Sequence, residues 1–256
     1  MTESLNIPKN ETATAEAELL VFVLDGSGSM MEQKTFDNKP KVEHLLEIMR
    51  NLLDRLSRSS KKPAFRVSFI AFSQTAIIQE HQGNAYYSLD DAIKILANPV
   101  VIAGGRNTAI ADAINKVTEV LNQFNKDEGI PSQKHATIFL LTDGQENVRS
   151  RDDVILEAKT ITSSALAPTL ATISFGVDAD ENLLMEIASS PNERQIRHLD
   201  MAQVLNHLPN DKKLFIQGHA NGNISQEKAE ALRSFVETLS QTAQILKQAK
   251  PASISP

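Results

Sequence analysis

The run Asp25-Gly26-Ser27-Gly28-Ser29 places one carboxylate and two hydroxyls at alternate positions, directly after an unbroken apolar stretch at residues 19–24. Side chains at i, i+2 and i+4 of an extended chain point the same way, so a loop that stays partly extended brings all three to one point. Gly26 and Gly28 let the backbone turn there without a Cβ clash. Two later segments carry matching donors. Gly104-Gly105-Arg106-Asn107-Thr108 opens a helix, and Leu140-Leu141-Thr142-Asp143-Gly144 ends another apolar strand. Every candidate donor is a carboxylate or hydroxyl oxygen, a set that suits Mg²⁺ or Mn²⁺, admits Ca²⁺, and disfavours zinc or copper.

Charge arithmetic gives such a site a purpose. Asp25 and Asp143 bring two negative charges, while Ser27, Ser29 and Thr108 bring none. A divalent ion held by them is neutralised without being saturated. Its open position takes water until a stronger anion arrives, and a Glu or Asp side chain of a partner protein is such an anion.

The elements that would position these residues alternate along the chain. Residues 1–16 are rich in Glu, Thr and Ala without periodicity and read as a disordered tail. Residues 19–24 are apolar at every position, as in a strand buried on both faces of a parallel sheet. Val42, Leu45, Leu46, Met49, Leu52, Leu53 and Leu56 fall at helical spacing. Residues 65–72 form the next strand, and residues 75–80 follow after a gap too short for a crossover, which predicts an antiparallel hairpin. Ser88-Leu89-Asp90-Asp91 resembles the N-terminal cap of a short helix ending near Asn98. Helices at 108–124, 152–165 and 181–188 then alternate with strands at 135–141, 170–176 and 194–199. This alternation implies a doubly wound α/β sheet with helices on both faces, in which ligands lie beyond the carboxyl ends of the strands. Asp25 and Asp143 both fall at such ends.

Composition narrows the function classes. The 256 residues suit one large α/β domain with tails. With 41% apolar residues but only two tyrosines and no tryptophan, aliphatic side chains must fill most of the core. The formal charge of −6 argues against a nucleic-acid surface, which needs clustered Lys and Arg. The absence of cysteine excludes disulfides, thiolate catalysis and a zinc–thiolate centre. The first 18 residues lack the basic and apolar regions of a signal peptide, and the longest apolar run is far short of the roughly 20 residues that cross a bilayer. The expectation is a cytoplasmic protein without membrane contact.

Taken together, these segments resemble the von Willebrand factor A domain family and its metal-ion-dependent adhesion site. Asp25, Ser27 and Ser29 match the D-x-S-x-S signature, Thr108 the loop threonine, and Asp143 the final aspartate. Thr108-Ala109-Ile110 leading into Asp112-Ala113-Ile114 is similar to the family pattern, as is Ile173-Ser174-Phe175-Gly176-Val177 followed by Leu183-Leu184 and Ile187-Ala188. The resemblance implies a Rossmann-like, mostly parallel six-stranded sheet ordered 3-2-1-4-5-6 with one antiparallel edge strand. It also implies a complete site in which Ser27 and Ser29 coordinate directly and the aspartates act partly through water. The domain is expected over residues 17–208. The chain looks like the stand-alone bacterial, cytosolic type, whose members often act beside kinases, phosphatases, AAA-type ATPases or tellurium-resistance factors.

Arg106, Gln145 and Glu146, with Asn147, fall on the expected rim, where they would meet a partner; Lys34, Lys39 and Lys41 lie in a long segment beside the metal. Residues 209–256 form an extension with an amphipathic helix at about 225–249, striped by Leu232, Phe235, Val236, Leu239, Ala243 and Leu246. That helix would pack on its own domain or dock a partner. The alternative function is a metal-dependent hydrolase or phosphotransferase using the same ion. Against it, the position two residues after Asp25 is Ser27 rather than a second carboxylate, and His44, His81, His135, His198, His207 and His219 show no ligand or triad spacing. A dinucleotide fold fails locally, because Met31 stands where the third glycine belongs.

Overall fold

The computed structural model describes residues 16–32, 40–58, 62–97, 105–174 and 180–189. Its elements run β1 (Glu16–Asp25), α1 (Gly28–Glu32), α2 (Lys41–Ser57), β2 (Phe65–Phe72), β3 (Ala76–Ile78), β4 (Tyr87–Ser88), α3 (Leu89–Ala97), α4 (Ile110–Lys126), β5 (Gln133–Thr142), α5 (Arg151–Thr162), β6 (Thr169–Ser174) and α6 (Glu181–Ile187). The expected strand at 194–199 and the helix at 225–249 lie outside the described residues, as does the proposed tail up to residue 15; Glu16, expected at the end of that tail, instead opens β1.

The sheet has the order β3-β2-β1-β5-β6, with β4 also paired to β2. β1 is parallel to both β2 and β5, and β5 is parallel to β6. The antiparallel edge comes in two short pieces: β3 pairs the carboxyl end of β2 through Phe72↔Ala76, and β4 pairs its amino end through Val67↔Tyr87. The chain passes between them through a tight turn closed by reciprocal backbone bonds of His81 and Asn84, with Gln82 and Gly83 at φ 53° and 77°. Positive φ at both central positions is what such a turn requires.

Strand alternation divides the core. Leu20, Phe22 and Leu24 face α2 and α3, while Leu19, Val21 and Val23 face α4, α5 and α6. This two-sided burial explains why β1 shows no polar alternation. Aliphatic residues dominate as expected, yet phenylalanines organise the first face: the Phe22 ring stacks on Phe139 at 5.3 Å and tilts against Phe69 at 5.7 Å. Truncating Phe22 to alanine would cost roughly 3–5 kcal/mol through the cavity left behind.

Local signals also set the helices. Ser88 Oγ accepts the Asp91 N–H, the cap that the sequence announced for α3. Ser150 and Asp153 form a reciprocal capping box at the start of α5. Parallel alignment of β1 and β5 brings Asp25 and Asp143 to the same end of the sheet.

Candidate metal centre

Three loops meet above the carboxyl ends of the central strands. The first follows β1. Asp25 is fully buried; its Oδ1 accepts the Ser27 N–H at 2.8 Å, and its Oδ2 accepts a short hydrogen bond from the Thr142 hydroxyl. Burial pushes its carboxyl up from the ordinary value, opposed by the bonds from Thr142 and Ser27 and reinforced by the negative charge of Asp143. Burial thus acts against the charged form.

The loop does not stay extended. Met30 and Met31 both donate their N–H to the Ser27 carbonyl, and α1 begins at Gly28. Met30 is fully buried in the core beneath α2, and this anchor accounts for the helical turn. Ser27 and Ser29 still converge, with their Oγ atoms 3.1 Å apart, across the junction where Ser27, bridged to Gly105, meets the helical turn that starts at Gly28. Nor do Gly26 and Gly28 use left-handed backbone: among the described residues, positive φ is confined to Gln82, Gly83 and Ala167.

The second loop carries Thr108. Gly105 bridges to Ser27, and the Ala109 N–H donates to the Ser73 carbonyl at 2.7 Å. A Cβ on Gly105 would lie 2.7 Å from Ser73 Oγ, so the close approach requires glycine. Thr108 does not cap the helix, as a plain helix start would have it do. The helix begins at Ile110 behind Ala109, which offers no side-chain cap. Glu146 Oε2 instead accepts the Ala111 N–H at 2.8 Å.

The third loop follows β5. Ser29 Oγ donates to Asp143 Oδ1 at 2.6 Å, joining residues 114 positions apart. A Cβ on Gly144 would stand 2.8 Å from Thr108 Oγ1, so the Asp143 loop lies directly against that hydroxyl. Ser27, Ser29, Thr108 and Asp143 line one open cleft of about 660 Å³, with Asp25 buried beneath Ser27. Arg106, Gln145, Glu146 and Asn147 line the same cleft. Arg106 and Gln145 are exposed. Glu146 is half-buried, and its Oε1 accepts the N–H groups of Val148 and Arg149, so both of its oxygens are already engaged within the loop. Gly104 and the side chains of Lys34, Lys39 and Lys41 lie outside the described residues.

Among the described residues, no three His, Cys, Asp or Glu side chains gather as a metal-binding group. Asp143 and Glu146 line the cleft, both Glu146 oxygens are engaged by backbone N–H groups, and the remaining proposed donors at its surface are hydroxyls, which fits a hard divalent cation that keeps part of its water. Sequence reasoning placed Asn147 on the rim as a partner contact, and it missed that three residues hold this set together. Thr142 fixes Asp25, Ser73 supports the Thr108 loop, and Asn147 accepts the Thr108 N–H at 2.8 Å. The one sequence signal for Thr142 was a hydroxyl directly after the apolar run at residues 138–141, next to the aspartate.

Residues 20–210 match the von Willebrand factor type A domain, and the chain belongs to this family. It is 27% identical over 175 residues to inter alpha-trypsin inhibitor heavy chain 4 of Mus musculus, covering 66% of this chain and 17% of the relative. It is 28% identical over 202 residues to the collagen alpha-1(XII) chain of Notophthalmus viridescens, covering 78% and 19%. The matches thus span less than a fifth of these relatives' length. The fold is similar to that of proximal thread matrix protein 1 from the mussel byssus, solved with a zinc-occupied adhesion-site motif (TM-score 0.54, 21% identity, 74% of this chain and 44% of that one). It is also similar to a von Willebrand factor type A protein from Catenulispora acidiphila (TM-score 0.55, 14% identity, 89% and 43%).

Proposed function

We propose that the chain is a non-catalytic, metal-dependent protein-binding module. Asp25, Ser27, Ser29, Thr108 and Asp143 would hold a Mg²⁺ or Mn²⁺ ion, which supplies a positive point for a Glu or Asp side chain of a partner. The carrying observation is the 2.6 Å bond from Ser29 to Asp143, which draws the first and third loops together beside Thr108. Asp25 steadies the first loop by accepting from Ser27, while the exposed Arg106 adds positive charge at the rim for an acidic partner. The zinc-occupied motif of the mussel protein supports a divalent ion on this fold. We place the module in a cytoplasmic regulatory or stress-response complex.

Turnover has less support. No histidine, lysine or cysteine is among the described residues that line the cleft, so it offers no evident general base beyond its own carboxylates. His81 packs edge-on against Tyr87 on the β3–β4 side, and His135 lies near the amino end of β5, at the other end of the sheet. The test is affinity capture by wild type and Asp25→Ala, each with Mg²⁺ and with chelator. Proteins retained only by the intact, metal-loaded form support the module; capture indifferent to chelator and substitution refutes it.

A further inference from the structure

Thr108 would contribute a neutral hydroxyl, a weak donor whose value depends on being held in place before the ion arrives. Its own helix does not hold it, since α4 begins at Ile110. Asn147 does. The Asn147 Oδ1 accepts the Thr108 N–H at 2.8 Å, and the Asn147 N–H donates to the Thr108 carbonyl at 3.2 Å. Both backbone polar groups of a buried residue are thus satisfied by one exposed residue of another loop.

Asn147 is itself fixed on both sides. Glu146 Oε1 accepts the N–H groups of Val148 and Arg149, while its Oε2 reaches the Ala111 N–H. The Arg149 guanidinium reaches Asp112 of α4 at 3.4 Å. Residues 146–149 therefore brace the Asp143 loop against the start of α4.

We infer that Asn147 is a positioning residue that presets the Thr108 hydroxyl against the Asp143 loop at Gly144, so that the two distant segments meet the ion as one unit. This rests on the metal-site reading above. Without the brace, residues 105–109 must be ordered when the ion binds, and affinity falls accordingly. The chemistry needed is an acceptor at the end of a short stem. Leucine has a similar size without it, and aspartate retains it.

The experiment uses the full chain as wild type, Asn147→Leu and Asn147→Asp, well below their melting temperatures. Mn²⁺ affinity is read by calorimetry, and exchange of the Thr108 amide is read by NMR in metal-free protein. Asn147→Leu is expected to bind Mn²⁺ about 10- to 100-fold more weakly. Its Thr108 amide should exchange faster, while Asn147→Asp keeps the amide protected and recovers affinity. Unchanged Mn²⁺ affinity or unchanged Thr108 protection in Asn147→Leu overturns the inference and leaves the metal reading standing. If Asn147→Leu does not fold, Asn147→Asp decides: a deprotected Thr108 amide overturns the inference, and a protected one supports it. A wild type that binds no Mn²⁺ overturns the metal reading itself, a result visible before any variant is made.

Discussion

The two ends of the sheet carry clefts of nearly equal size, about 660 Å³ above the carboxyl ends and about 640 Å³ at the turn between α4 and β5. They differ in how charge is settled. In the lower cleft the cation is part of the chain: Lys134 Nζ donates to the carbonyls of Asn125 at 2.8 Å and Asp127 at 2.7 Å, closing the end of α4. The Tyr86 hydroxyl at 2.6 Å, with the Gly129 N–H at 2.8 Å, holds the Asp127 carboxyl below the usual carboxylate range. In the upper cleft the bonds recorded for Asp25 come from a hydroxyl and an amide, and burial pushes that carboxyl the other way. Volume does not separate the proposed metal site from a structural turn. The balance at the carboxyl does: hydrogen bonds prevail at Asp127, and burial prevails at Asp25.

Paired substitutions sharpen this contrast. The largest effect is expected for Asp25→Asn, which should abolish measurable Mn²⁺ binding in calorimetry. Its metal-free form should melt no earlier than wild type, because burial already works against the charged carboxylate. Asp127→Asn, at the other end, should leave Mn²⁺ affinity unchanged. Next come two glycines. Gly144→Ala forces a methyl into Thr108 Oγ1 and should weaken Mn²⁺ by about tenfold or more. Gly129→Ala meets only the Asp127 side chain at 3.1 Å and should not alter metal affinity.

The five proposed ligands were legible because each lies in a short segment with its own spacing, and because apolar runs marked the strand ends that carry Asp25 and Asp143. The bracing by Thr142, Ser73 and Asn147 was not legible, although Asn147 stood on the expected rim. Their roles depend on contacts across loops far apart in sequence, and a Ser, Thr or Asn near a turn has many local uses. The extended loop expected at Ser27 gave way to a helical turn because Met30, ordinary in the sequence, finds a core position under α2. Strand order around β1 followed from alternation and family resemblance together, while the split of the antiparallel edge into β3 and β4 depended on a two-residue turn that periodicity does not register.

Smaller effects belong to the lower end. Tyr86→Phe removes one hydrogen bond and should lower stability by about 1 kcal/mol in chemical denaturation, with Mn²⁺ affinity intact. The difference should also depend on pH. Asp127 has a depressed folded value, so its contribution is present above the ordinary carboxyl range and is lost as pH falls through the folded value. The stability gap between wild type and Tyr86→Phe should hold from neutrality to about pH 5 and narrow below about pH 4. A gap that widens on acidification would assign the bond a different role.

The divided outer edge has a consequence for self-association. β3 offers three residues and β4 two, separated by the turn at Gln82 and Gly83, so an approaching strand finds no continuous ladder to extend. Ile77, 53% exposed on β3, would otherwise invite such stacking. Straightening that corner, for example by replacing Gln82 and Gly83 with valines, should convert a self-limiting rim into a surface that recruits further copies.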